Sequence, residues 1–256
     1  MHAGSRENLT LKRRREATRL AVPLYSPVAC RREGPPSLQY SRANPSPRYR
    51  ELLELYRQMH VEGERATGRP AKDTFPGVSL GPHVGRVKRL VAKTGATSLL
   101  DYGSGKGRLY DLRDVKLPDG TVMPSLSDYW DVDYVLCYDP AYVPFSEAPK
   151  QKFDGVVCTD VLEHCPAEDI DWIIEELFGY ATRFVFATVA CYPASKHLPN
   201  GENAHVTIRA PEWWEAPFAA AAARYPAIEW EVWAIFREEA AEGRVRYADV
   251  RMGSPA

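Results

Sequence analysis

Residues 99–107 read Leu-Leu-Asp-Tyr-Gly-Ser-Gly-Lys-Gly, with three glycines at alternate positions directly behind an apolar pair and an acid. Glycine weakens strands and helices alike. Three of them this close mark a place where the backbone turns sharply or comes near something else. The apolar lead reads as a buried strand, and the glycines as the loop that leaves it. Further strands are expected at residues 133–139, 153–160 and 183–190, each a short apolar run bounded by polar residues. Between the last two, Ile170, Ile173, Ile174, Leu177 and Phe178 recur at helical spacing behind the first-turn acids Glu168, Asp169 and Asp171. Helices are also expected from Arg48 through Met59, over 83–93 and over 211–223, with late strands at 228–236 and 244–251. Strands alternating with helices predict a parallel sheet covered on both faces. In such sheets ligands bind outside the carboxyl ends of the strands, where strand order reverses. The glycine loop lies at such an end.

The rest of the chain sets limits. Its 256 residues, 45% hydrophobic and 26% charged, are those of an ordinary globular protein, and its net charge of −1 offers no general pull toward nucleic acid or membrane. No apolar run nears the roughly 20 residues of a membrane-spanning helix. The basic N-terminal residues lead into no apolar stretch, so no secretory leader is expected. Cys30, Cys137, Cys158, Cys165 and Cys191 are odd in number and scattered, which predicts reduced thiols and a cytoplasmic location. Residues 1–47 are rich in arginine and proline and predict a disordered basic arm; an anionic partner such as RNA is the sharper reading of it, a solvated tail the blander one. Residues 48–95 predict a helical extension, and 96–256 the main domain.

Three nucleotide loops compete for the glycines. A phosphate-binding P-loop fails because Gly105-Lys106 is followed by Gly107 and the residue five before Gly105 is Leu100. The dinucleotide pattern Gly-x-Gly-x-x-Gly fails at Arg108. Acid-x-Gly-x-Gly-x-Gly fits, with Asp101 leading. This segment resembles the first motif of the class I S-adenosylmethionine-dependent methyltransferases. The resemblance runs over residues 97–236. Asp139 closes the second strand, Leu162-Glu163-His164 follows the segment similar to the family's fourth strand, and residues 204–214 resemble the stretch after the fifth. It implies an α/β fold: a doubly wound, mostly parallel, seven-stranded Rossmann-like sheet behind a helical N-terminal extension that would lid the cofactor. It implies S-adenosylmethionine as cofactor. Asp101 would meet the methionine ammonium, Gly103, Gly105 and Gly107 would pass beneath the ligand, and Asp139 would accept from both ribose hydroxyls. Asp160 would join this cofactor set. Residues 140–152 are too few for the family's usual helix and third strand, which leaves the adenine contact unplaced. Asp139-Pro140-Ala141-Tyr142 also resembles the Asp-Pro-Pro-Tyr motif of adenine-N6 methyltransferases, but it follows the second strand and lacks the second proline.

Methyl transfer from a sulfonium needs positioning above all, and a general base only where the acceptor is protonated. His205, His164 and Glu163 are the candidate catalytic residues. The blander roles are loop-opening for Glu163 and His164 and a backbone bond for His205. Trp213 and Trp214 could stack on an acceptor or fill the core. His164, Cys165, Cys191 and His205 match no standard ligand spacing, so no metal is expected. The implied acceptor is a small molecule. The competing readings are an RNA or protein methyltransferase using the basic arm, and a cofactor-binding module without activity. Segment 192–214 is expected to form the acceptor side of the pocket, opposite Asp101 and Asp139.

Overall fold

The computed structural model of the protein describes residues 39–116, 120–239 and 245–254. In chain order the elements are α1 (Pro47–Glu62), α2 (Val84–Thr94), β1 (Ser98–Tyr102), β2 (Val115–Lys116), β3 (Val122–Met123), α3 (Leu126–Trp130), β4 (Tyr134–Tyr138), β5 (Phe153–Thr159), α4 (Ile170–Tyr180), β6 (Ala181–Ala190), α5 (Pro211–Ala222), β7 (Glu229–Glu239) and β8 (Val245–Gly253). The main sheet has six strands in the order β4-β1-β5-β6-β7-β8, not the seven expected, and β2 and β3 form a separate hairpin. Every pairing in the main sheet is parallel except β7 with β8. Its parallel strands therefore run second-first-third-fourth-fifth, a doubly wound order whose direction reverses between β1 and β5.

Side-chain alternation along β6 shows why both faces are covered. Phe184 and Phe186 face one layer with Val87, Leu90 and Val91 of α2 and Trp130 of α3. Val185, Ala187 and Val189 face the other, with α4 and α5. The segment expected as an extension thus contributes α2 to the sheet's own core. The described residues form one compact unit.

Two crossovers are shorter than a full helix. After β1 the chain makes only a 3₁₀ turn at Arg108–Asp111, the hairpin and the five-residue α3 before β4. Between β4 and β5 it makes one 3₁₀ turn, Val143–Phe145, as the few residues there require. No full α-helix N-terminus faces the glycine loop.

Of the arm expected over 1–47, the structure describes the last part. Residues 1–38 lie outside the described residues, but 39–47 are docked. The Arg42 guanidinium is paired with Glu176 of α4 and donates to the hydroxyls of Tyr138 and Tyr102 on β4 and β1. Ser46 caps α1, accepting from the Tyr49 amide at 3.0 Å, with Pro47 at the first helical position. The Ser46 amide in turn donates to Asp169 at 3.1 Å, which fixes α1 against the start of α4. Among the described residues no helix is long and apolar enough to cross a membrane.

Removing the arginine should leave Glu176, whose side chain is only 16% exposed, facing two tyrosine hydroxyls without a cation. Arg42→Ala is expected to lower stability by about 1–3 kcal/mol and to speed protease cleavage within residues 39–46. Denaturant melts and limited proteolysis check both.

Candidate functional site

The loop at the β1 exit is closed by its own hydrogen bonds. The amides of Gly103 and Ser104 donate to the Tyr138 carbonyl at 2.7 and 3.1 Å, and that of Gly105 to the Asp139 carboxylate at 2.9 Å. The Lys106 amide donates to the Phe75 carbonyl at 3.0 Å, Arg108 to Pro76 at 2.9 Å and Leu109 to Gly77 at 3.2 Å. Gly107 and Tyr110 complete the set inside the loop, donating to Ser104 and Gly107. No amide from 103 to 110 is left for an anion. All three glycines hold positive φ, at 81°, 58° and 62°.

What comes close to these glycines is the chain itself. A Cβ on Gly105 would stand 2.6 Å from the Phe75 carbonyl oxygen, and one on Gly77 would overlap the Ser104 carbonyl. A Cβ on Gly103 would overlap Val161, and one on Gly107 would stand 3.0 Å from Cys137 Sγ and 3.2 Å from the Phe145 ring. The sequence predicts a ligand passing beneath the loop; the structure instead lays the strap of residues 75–77 against it. Lys106 strengthens this contact, donating its ammonium to the Thr74 carbonyl at 2.7 Å.

The strap, the loop and α1 enclose a cavity of about 340 Å³ at the carboxyl ends of β1, β4 and β5, within the size range of small-molecule sites. Asp101, Gly103, Gly105, Asp139, Asp160, His164 and His205 all line it, so residues drawn from segments far apart in sequence converge on one space. Gly107 and Glu163 do not. Gly107 is spent on packing. The Glu163 carboxyl is fully buried, with Oε1 accepting from the Ala190 amide at 2.8 Å and Oε2 without a hydrogen-bond partner. Burial holds its proton on, well above the ordinary carboxyl range. It braces the end of β6 from outside the cavity wall. Trp214 is buried in the core beside α4, and Trp213 packs against that core; neither lines the cavity.

The acids of the site differ in their partners, and burial raises both Asp101 and Asp139 from the ordinary carboxyl range. Asp101 is 4% exposed and has one partner, the Tyr110 hydroxyl at 2.9 Å. Burial pushes its carboxyl up to about 7, with Asp139 adding repulsion. Asp139 accepts from Gly105 on one oxygen and from Ala141, at 2.8 Å, on the other. It closes a turn there and keeps lone pairs on both oxygens for a ligand. Asp160 stands at φ 54° at the end of β5, with its amide bonded to Thr188. Phe75 of the strap also holds positive φ, at 48°. Two non-glycine residues in this costly region thus line the same cavity.

The cavity also carries bases, with Asp160 close enough to attract His205 and Lys196. His205 Nδ1 lies 2.6 Å from the Tyr192 carbonyl, a bond only a protonated Nδ1 makes, so Nε2 bears the lone pair. His164 stands edge-to-face with His205 at 4.8 Å between ring centres, and its Nδ1 lies 3.1 Å from the Tyr56 hydroxyl. Burial pushes His164 down to about 3 and lowers His205 as well, so both rings are neutral near pH 7. Segment 192–214, expected to form the acceptor side, brings His205 and Lys196 to the cavity.

Several cavity residues escape the sequence reading. Tyr56 lies in the apolar stripe of α1 and reads as core. Phe75-Pro76-Gly77 sits in a stretch with no assigned element, where Pro-Gly signals a turn but not its partner. Lys196 reads as part of a polar loop. No group of three or more His, Cys, Asp or Glu among the described residues is arranged to hold a metal.

No family model matches the chain, and no curated protein is similar to it. A solved structure described as a DhpI–SAH complex aligns with 80% of this chain and 79% of its own, at 14% identity and a TM-score of 0.30. A likeness of that size carries no argument about activity, and the reading below rests on the cavity and the sequence motif.

The Asp101 carboxyl at about 7 gives a signed expectation. A cationic ligand needs the carboxylate, so its affinity should rise about tenfold per pH unit below 7 and level above it. Stability of the free protein should run the other way. Between about 4 and 7 the folded state holds a proton that the unfolded chain has released, so stability falls as pH rises through that window. Asp101→Asn should flatten both profiles, abolish cation binding and raise the melting temperature at pH 7.5. Calorimetry and thermal melts across pH 5.5–8.5 read them. In a separate variant, Gly77→Ala should unseat the strap, lowering both stability and ligand affinity.

Proposed function

We propose that the protein is an S-adenosylmethionine-dependent methyltransferase acting on a small-molecule acceptor. One observation carries the reading. The acid-led glycine loop stands at the reversal point of a parallel sheet with every amide committed, and Asp101, Asp139 and Asp160 line the space beside it. A loop of that kind has nothing to offer a pyrophosphate, which needs free amides or a helix N-terminus. Its buried carboxyls suit a ligand with a cationic end and neutral hydroxyls. The ammonium of S-adenosylmethionine matches Asp101, and its ribose matches the unused lone pairs of Asp139. Asp160, at the third strand end, stands nearest in sequence to the candidate bases.

The bound cofactor would supply a methyl group on a sulfonium, whose carbon–sulfur bond breaks with its electron pair going to sulfur. The chain's own task is to hold the acceptor in line and take its proton. His205 is suited to the second part. The Tyr192 carbonyl fixes its tautomer, leaving Nε2 to receive the proton as the acceptor's lone pair forms the new bond to carbon. His164 packs on that ring and keeps it in place. Tyr56, donating to the Ala204 carbonyl at 2.7 Å, ties α1 to the same loop and makes the helix one wall of the site.

Calorimetry with S-adenosylhomocysteine should give a dissociation constant in the micromolar range, about 8 kcal/mol, and NADH or ATP should give none. No heat with S-adenosylhomocysteine, or heat with NADH, refutes the reading. His205→Asn keeps a donor for the Tyr192 carbonyl but loses the base. Turnover should fall by about 10² or more while melting temperature and S-adenosylhomocysteine affinity stay put. A drop in melting temperature with turnover per folded molecule unchanged would assign His205 to loop structure alone.

A further inference from the structure

Charge in the cavity is divided. Its acids come from β1, β4 and β5, and its free cation comes from the segment after β6. Arg69 lines the mouth, but it lies 3.7 Å from Glu64, whose side chain is 1% exposed, so its charge is already balanced. Glu64 is itself used up, accepting from Thr67 Oγ1 at 2.8 Å and from the His197 amide at 3.1 Å. Lys196 is different. Among the described residues its ammonium makes no hydrogen bond and no ion pair, and it lies 5.3 Å from the centre of the Phe75 ring. Asp160 lines the same cavity without pairing to it. A half-buried ammonium given a ring face and no hydrogen-bond acceptor from the described residues is open to an anionic ligand.

The loop that carries Lys196 also carries His205. The Ala204 amide donates to the Lys196 carbonyl at 3.0 Å, and His197 bridges to Asn203. Asn203 Oδ1 accepts from the amides of Ala194 and His205, both at 2.9 Å. Cation and base are thus held at opposite sides of one closed loop and are presented to the cavity together. Burial, with Arg69 adding repulsion, lowers the Lys196 ammonium from its usual range against the attraction of Glu64 and Asp160, neither of which it pairs with.

We propose that Lys196 binds an anionic group on the methyl acceptor, and that the acceptor is a small organic acid whose nucleophilic O–H or N–H faces His205. The assignment rests on the methyltransferase reading and adds to it the chemical class of the substrate. Phe75, Tyr56 and His164, arranged edge-to-face at 5.7 and 5.4 Å about Tyr56, supply an aromatic wall for the acid's body. The rival is that Lys196 serves the carboxylate of the cofactor's methionine end. Its place on the His205 loop, not on the loops carrying Asp101 and Asp139, favours the acceptor.

The test begins with calorimetry of S-adenosylhomocysteine on the wild-type chain. Absence of binding there removes the methyltransferase reading and this assignment together, before any acceptor is tried. With binding in hand, the protein is given methyl-labelled S-adenosylmethionine and metabolites of its native host. These are split at pH 7 into a fraction retained by an anion exchanger and a flow-through. Label should pass to a compound of the retained fraction. At limiting acceptor, Lys196→Ala should label it at least tenfold more slowly, and Lys196→Arg should restore most of the rate. Equilibrium dialysis of the labelled product against protein loaded with S-adenosylhomocysteine should show at least tenfold weaker binding in Lys196→Ala. The same variant should bind S-adenosylhomocysteine itself as the wild type does. Three results overturn the proposal: label in the flow-through alone or nowhere, product binding unchanged in Lys196→Ala, or an equal loss of S-adenosylhomocysteine affinity, which would assign the lysine to the cofactor.

Discussion

The contact between residues 75–77 and the glycine loop is the one on which the site depends. Three backbone amides, those of Lys106, Arg108 and Leu109, donate to three successive carbonyls of the strap. Backbones approach this closely only where no Cβ intervenes. Gly77 and Gly105 meet that condition on opposite sides of the same contact. Once the strap is seated, Phe75 is fixed beside Tyr56 and His60 of α1, and the cavity has a roof. The strap also settles what sort of ligand the loop can hold. Amides that might have met a phosphate are spent within the chain, and only side chains remain to recognise anything. A sheet whose order usually serves nucleotides through backbone amides here offers carboxyls instead.

The fold was largely legible because its signals are local. β1, β4, β5 and β6 lie where apolar runs predict them, and α4 carries the stripe of Ile170, Ile173, Ile174, Leu177 and Phe178. The short link from β4 to β5 follows from simple length. Strand number was not legible. Nothing in residues 228–253 says that β7 and β8 would finish the sheet as a parallel strand and an antiparallel edge, because pairing partners are set by the whole domain. The docked end of the arm was hidden for a similar reason. Arg42 reads as one more basic residue in a proline-rich stretch until Glu176, Tyr102 and Tyr138 are brought to it.

The candidate site was legible in its acids and histidines and illegible in its mechanics. Acid-led glycines, an acid closing the next strand and the Leu-Glu-His turn are short-range patterns, and most of their members meet in one cavity. Glu163 shows the limit of such patterns. Adjacent residues on a 3₁₀ turn point different ways, so His164 reaches the cavity while Glu163 turns into the core. Tyr56, Phe75 and Lys196 were missed because each owes its role to a partner far away in sequence. An aromatic residue in a helical stripe is core by default, and a lysine in a polar loop is solvent-facing by default. Only the folded chain overrides either.

The lining of the cavity is held in a state that the rest of the fold must support. Asp101 is buried with a single hydroxyl partner, beside a second carboxyl on Asp139. Asp160 and Phe75 stand at positive φ without being glycine. Lys196 meets the Phe75 ring face and makes no ion pair among the described residues. The buried Asp101 carboxyl and the unpaired Lys196 ammonium are each stabilised by charge of the opposite sign arriving beside them. A ligand that is cationic beside the acids and a second that is anionic beside the lysine would each lower the cost of the other's burial. The two lie within one small cavity, where charges are screened less than in bulk water. Cofactor and acceptor would then bind with positive coupling through electrostatics alone, without a change of shape.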